Sequence, residues 1–152
     1  MHDMKKGILI TITAACALVG ALIYADSAPP DREPPILHAR LASPDVYDDG
    51  LYHAQIAVEA GPYEFRFVPN GDSPRNLDIA ISDGDSALFT ENFKLESTAH
   101  GPESARYYTW DYSGQKQLDL IEDYEVLEVQ IDPRGDVLGP VTVFLHAVNS
   151  TS

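Results

Sequence analysis

The chain has 152 residues, with 24 Asp and Glu against 10 Lys and Arg, a net charge of −14 and a single cysteine. That balance excludes a nucleic-acid binder and a protein held on anionic lipid by basic patches, since both need clustered positive charge. One cysteine supports neither a disulfide framework nor a thiolate metal site, so the fold must rest on its core.

Lys5 and Lys6 precede nineteen residues without a charge, Gly7 to Ala25, and Asp26 ends the run. As a helix this stretch reaches roughly 28 Å, about the thickness of a bilayer's hydrocarbon core. It exceeds the apolar region of about 7–15 residues usual in a cleaved leader, yet Ala25 and Ser27 offer the small residues that cleavage needs. Residues 1–25 are therefore expected to form one N-terminal hydrophobic helix, a signal peptide or a signal anchor. The two lysines favour a cytoplasmic N-terminus. Everything after the leader is then extracytoplasmic, held at the cell membrane or secreted. Cys16 sits inside the apolar run and reads as a lipid-facing thiol. Asp3 and Asp26 cancel the two lysines, so the exported part carries the whole negative charge.

Residues 26–46 (DSAPPDREPPILHARLASPDV) hold five prolines among several charges. This composition predicts a stiff, extended spacer outside the core.

Over 47–149 the apolar period is two. In LYHAQIAVEA, Tyr52, Ala54, Ile56 and Val58 share a face; in PYEFRFV, Tyr63, Phe65 and Phe67 do so, with Glu64 and Arg66 outward. LDIAIS aligns Leu77, Ile79 and Ile81, and ALFTENFKLE aligns Phe89, Phe93 and Leu95, with Glu91 breaking the stripe. ARYYTWDY, QLDLI, YEVLEVQID and VTVFLHAV follow, turning Leu127, Val129, Ile131, Val141, Val143 and Leu145 inward. Gly-, Pro-, Asn- and Asp-rich turns separate the runs, among them Ala60-Gly61-Pro62, Asn70-Gly71-Asp72, Asp83-Gly84-Asp85 and Pro133-Arg134-Gly135. About eight short strands with no helical period predict an all-β domain, an antiparallel β-sandwich or jelly roll.

The stretch GPYEFRFVPNGDSPRNLDIAIS, residues 61–82, resembles the Gly-x-Tyr-x-Phe-x-Phe…Asn…Ser pattern of Golgi-dynamics (GOLD) type β-sandwiches. IDPRGDVL resembles another strand-turn of those domains. The chain is also similar to small exported β-sandwich domains, including those that accompany secreted peptidases. The resemblance implies a non-catalytic luminal or extracellular interaction domain, and it carries over no catalytic residue.

The residues themselves offer few routes to chemistry. Gly-Asp-Ser occurs at Gly71-Asp72-Ser73 and Gly84-Asp85-Ser86. No histidine has an aspartate three residues before it, and Gly-x-Ser-x-Gly is absent. No catalytic residue is assigned, and Ser73, followed by Pro74, reads as part of a turn. No two histidines stand at i, i+2 or i, i+4, so zinc and copper lack local support. Calcium has oxygen ligands to choose from at Asp45, Asp48 and Asp49, at Asp83 and Asp85, and at Asp132 and Asp136, but none of these runs has the twelve-residue loop spacing. No metal site and no cofactor is assigned.

The aromatic strand places Tyr108, Trp110 and Tyr112 on one face. The face reads either as core or as a flat platform for sugar rings, and the exposure of Trp110 decides between the two. Asn149-Ser150-Thr151 is a glycosylation sequon. The expected function is that of an exported, non-catalytic β-sandwich. Its expected partner is a protein or cell-envelope component, it meets the membrane through the N-terminal segment, and it binds no nucleic acid. The alternative is a carbohydrate- or calcium-binding module.

Overall fold

The computed structural model describes residues 33–149. Apart from two short 3-10 turns at Pro44–Val46 and Glu103–Ala105, its regular elements are all strands. They are β1 (Leu37–Leu41), β2 (Tyr52–Val58), β3 (Gly61–Val68), β4 (Asn76–Asp83), β5 (Ser86–His100), β6 (Tyr107–Ser113), β7 (Gln117–Leu120), β8 (Tyr124–Asp132) and β9 (Val141–Ala147). The fold is all-β, with two antiparallel sheets ordered β1-β9-β3-β7 and β2-β8-β4-β5-β6. The hydrophobic leader helix expected over 1–25 lies outside the described residues.

Strands β2 to β9 are the eight runs read from the alternation. β1 is a correction. It falls inside the stretch expected to be a spacer, yet Leu37, Ala39 and Leu41 are buried and face Leu145, Val143 and Val141 across the β1–β9 ladder. The prolines of 26–46 stop at Pro35 and resume at Pro44, leaving a proline-free run that contains LHARL. Its period-two pattern needed only a partner. The sheet therefore begins where the Ile36 N–H donates to Leu145 O at 2.9 Å.

The inner faces of both sheets interdigitate in one sandwich-like core. Phe65 from the smaller sheet meets Phe89 and Phe93 from the larger one at ring separations of 5.3 and 5.9 Å. Glu91, the break in the β5 stripe, is half-buried and useful there: its carboxylate accepts from the N–H groups of Asn92 and Gln115.

Register gives the sandwich two distinct ends. Leu37 pairs with Leu145, Gly61 with Leu120 and Val58 with Tyr124, so the described chain enters beside the β2–β3, β4–β5 and β7–β8 turns. At the opposite end lie the β1–β2, β3–β4 and β8–β9 loops. There β5 outruns its neighbour: Asn76, the first residue of β4, pairs with Lys94, while β6 pairs with Lys94 through His100. Beyond Lys94, β5 and β6 project as a two-stranded arm. At its tip Gly101 has φ +83°, and a Cβ there would lie 2.7 Å from Ala105 O, so the turn requires glycine.

Candidate functional site

The arm takes the three aromatic residues of β6 out of the core one at a time. Tyr112, at its base, is fully buried against Phe67 with 4.9 Å between ring centroids, and its hydroxyl donates to Pro74 O at 2.6 Å. Trp110 is half-buried: a Cβ on Gly71 would come within 3.2 Å of its ring, and the Arg75 guanidinium lies over it at 5.4 Å. Tyr108 is 54% exposed, and on the other face Tyr107 is 60% exposed and stacked on His100 at 5.1 Å. His100 Nε2 and Thr109 Oγ1, 2.8 Å apart, tie the two strands near the tip. As a sugar platform this strand lacks two of its three rings, because Tyr112 belongs to the core and Trp110 is covered by the β3–β4 loop.

The backbone of the arm is as informative as its rings. The Leu95 N–H donates across to Arg75 O, and the Tyr112 N–H opposite it is taken by the carboxylate of Asp111. Neither group faces the β5–β6 ladder, so by alternation Tyr108, Trp110 and Tyr112 turn their N–H and C=O groups to the open side of β6. Tyr108 and Trp110 have no backbone partner there among the described residues. Other edges are blunted: β7 has four residues, β1 has five with Arg40 and His38 outward, and β2 shifts register between Ile56 and Val58. β6 has seven residues, no lysine, no proline and no register shift.

Ser73, the first Gly-Asp-Ser serine, is 2% exposed. Its Oγ accepts from the Asn70 N–H at 2.8 Å and donates to Pro140 O at 2.5 Å. It clamps the β3–β4 loop to the β8–β9 loop, and a Cβ on neighbouring Gly139 would lie 2.5 Å from Asp72 O. Sequence reasoning placed Ser73 in a turn but had no signal for its partner, 67 residues away.

The same junction holds Tyr47. Burial, reinforced by Asp136, pushes its hydroxyl up to about 12, and burial also raises Tyr112. Both phenols therefore stay neutral in the fold at pH values where the unfolded chain ionises. The contribution of Tyr47 to stability is complete below pH 10 and is lost as pH rises from 10 toward about 12, and that of Tyr112 is lost in the same direction. The Tyr47 hydroxyl is buried without a hydrogen-bond partner among the described residues. Tyr47→Phe should accordingly leave stability at pH 8 unchanged or raise it by up to about 1 kcal/mol. It should also shrink the fall in urea midpoint between pH 8 and pH 11; an equal fall in both proteins would remove Tyr47 from the alkaline transition.

Of the aspartates considered for calcium, Asp45, Asp132 and Asp136 take part in local turn hydrogen bonds. Ser43 Oγ accepts from the Asp45 N–H, Asp132 accepts from the Arg134 N–H at 2.8 Å, and Asp136 accepts from the Gly139 N–H at 3.1 Å. Among the described residues no three His, Cys, Asp or Glu side chains gather as a metal site. Asn149 of the sequon is exposed just beyond β9. On the outer face of the larger sheet, His53, Gln55, Ser82, Glu128 and Gln130 rim a cleft of about 440 Å³ over Ala80.

Acidic loops stand at both ends of the sandwich, and at the arm end Asp45, Asp48, Asp49, Asp72 and Asp136 lie in the β1–β2, β3–β4 and β8–β9 loops. The entry-end turns are acidic, with Glu59, Asp83, Asp85, Glu122 and Asp123. Around β6, by contrast, Arg75, Lys94, Arg106 and Lys116 stand near Glu96, Glu103 and Asp111, and Lys116 Nζ meets Asp111 Oδ2 at 2.8 Å. Comparison with protein-family models, with curated proteins and with solved structures returns no match.

Proposed function

We propose that the chain is an exported, non-catalytic interaction domain that meets a partner protein or envelope component through the β5–β6 arm. The observation that carries this reading is the arm itself: two exposed tyrosines and an unpaired strand edge, held beyond the sandwich. A folded domain has no need to keep aromatic rings and free backbone groups in water there, because neither supports the core. The described chain enters at the end of the sandwich opposite the arm. The −14 net charge keeps the remaining surface soluble and discourages indiscriminate contact.

Replacing both rings, Tyr107→Ser with Tyr108→Ser, should leave the melting temperature almost unchanged, since neither ring is part of the core. The same variant should lose the proteins that co-purify with the tagged chain from its native membranes. An unaltered set of co-purifying proteins would place the contact elsewhere.

A ligand-binding module is the second reading, favoured by the cleft over Ala80. Its amide, hydroxyl and imidazole groups, with the Glu128 carboxylate as an acceptor, suit the hydroxyls of a neutral sugar, and its volume is in the range of small-molecule sites. Cellobiose, maltose or chitobiose should then shift the amide resonances of Gln55, Ser82 and Gln130. No shift with any of the three at 10 mM, a test concentration of about the weak end of such affinities, removes this reading.

A further inference from the structure

We infer that the open edge of β6 pairs with the same edge of a second copy of this chain, joining two larger sheets through their arms. The inference rests on the reading of the arm as the contact surface and names its occupant.

The free backbone groups dictate the register. Tyr108 and Trp110 offer N–H and C=O groups outward, whereas the Tyr112 N–H is already taken by Asp111. An antiparallel pairing that uses only the free groups centres on Thr109, which then lies opposite Thr109 of the second copy. Tyr108 and Trp110 exchange hydrogen bonds with Trp110 and Tyr108 of that copy.

Side-chain chemistry agrees on both faces. One face brings Tyr108 against Trp110, an aromatic pair. The other sets Thr109 against Thr109 and Tyr107 against Asp111, whose carboxylate can accept from the phenol. No like charges stand opposite each other. The contact is isologous and self-closing, so it removes the edge without seeding a fibre.

The charge distribution favours a second copy over a strongly basic partner. Acidic and basic side chains are nearly balanced around β6 itself, so the strand edge presents no strong field of either sign. Two copies joined by their arms keep the acidic entry-end turns, with Asp83, Asp85, Glu122 and Asp123, at the far poles. The residual repulsion between two chains of charge −14 is long-range and screened by salt, so the paired fraction should rise with ionic strength.

The test uses the full chain in its native membrane, with the photo-reactive residue p-benzoylphenylalanine replacing Tyr107. Irradiation should give a product of twice the mass of the chain. Thr109→Lys places two ammonium groups opposite each other and should abolish that product, as should Thr109→Glu with two carboxylates. Co-expressing the two variants should restore it, which also shows that both fold. A cross-link only to a product of another mass would overturn the second copy as occupant while leaving the arm as contact surface. No cross-link at all would overturn both. Doubling that survives Thr109→Lys would overturn the Thr109-centred pairing.

Discussion

Phe65→Ala should lower the unfolding free energy by about 3–5 kcal/mol, the usual cost of emptying a phenylalanine site in a packed core. Phe65 is fully buried and touches rings from both sheets: Phe67 in its own strand, and Phe89 and Phe93 across the sandwich. β3 is central in the smaller sheet, with β9 on one side and β7 on the other, so its backbone has little freedom to collapse into the gap. The next residue gives the contrast. Arg66 points outward and pairs with Glu64 at 3.5 Å through a side chain that is 57% exposed. A surface pair of this kind contributes little, so Arg66→Ala should stay within about 0.5 kcal/mol. Urea denaturation of the two variants decides the matter. Equal losses at these neighbours would be incompatible with a strand whose faces alternate between core and water.

Ser73→Ala should lower stability by far more than the loss of a surface hydroxyl would. It removes only one oxygen, but that oxygen serves two loops. The Asn70 N–H loses its acceptor and Pro140 O loses its donor, in a place where Ser73 itself is almost completely enclosed. Each partly buried backbone group left without a partner costs about 1–3 kcal/mol, less whatever an entering water recovers. Release of the β3–β4 loop should also uncover Trp110, because Gly71 of that loop lies against its ring. Denaturation and tryptophan fluorescence can be read on the same sample. The expected result is a lower midpoint together with a red-shifted, more quenchable emission in the native state. Ser73→Thr keeps the hydroxyl and should retain more of the stability if its methyl finds room. Full stability in Ser73→Ala would show that the two loops hold together without the clamp. Labelling of Ser73 by a fluorophosphonate would show something different, a reactive hydroxyl where the structure has a committed one.

The loops joined by Ser73 also govern how far β6 is covered, which ties the fold to its candidate function. Tyr112 is enclosed because Pro74 and Phe67 reach it, Trp110 is half-enclosed because Gly71 and Arg75 reach it, and Tyr108 lies beyond them all. The arm is thus a graded exit from the core. Its outer part is stabilised by β5 alone, so substitutions there should affect contacts far more than folding.

Alternation along the chain was enough to determine β2 to β9 and the inward residue of almost every pair. A strand in a two-layer fold turns successive side chains to opposite faces, and the core accepts only one of them. The negative net charge and the uncharged run from Gly7 to Ala25 are likewise properties of composition alone. Tertiary structure decided the rest. LHARL became β1 because β9, about a hundred positions later, supplied both its hydrogen bonds and its core. Tyr108, Trp110 and Tyr112 occupy equivalent positions in the alternation, yet they end in water, under a loop and in the core. Alternation reports which face a residue takes, whereas burial depends on how far the opposing layer extends. That extent is set by segments distant in sequence: β4 begins only at Asn76, opposite Lys94, while β5 continues to His100, and Ser73 ties one covering loop to Pro140. The unpaired edge at Tyr108 and Trp110 has the same origin. A strand's sequence carries no mark of which neighbour it will lack.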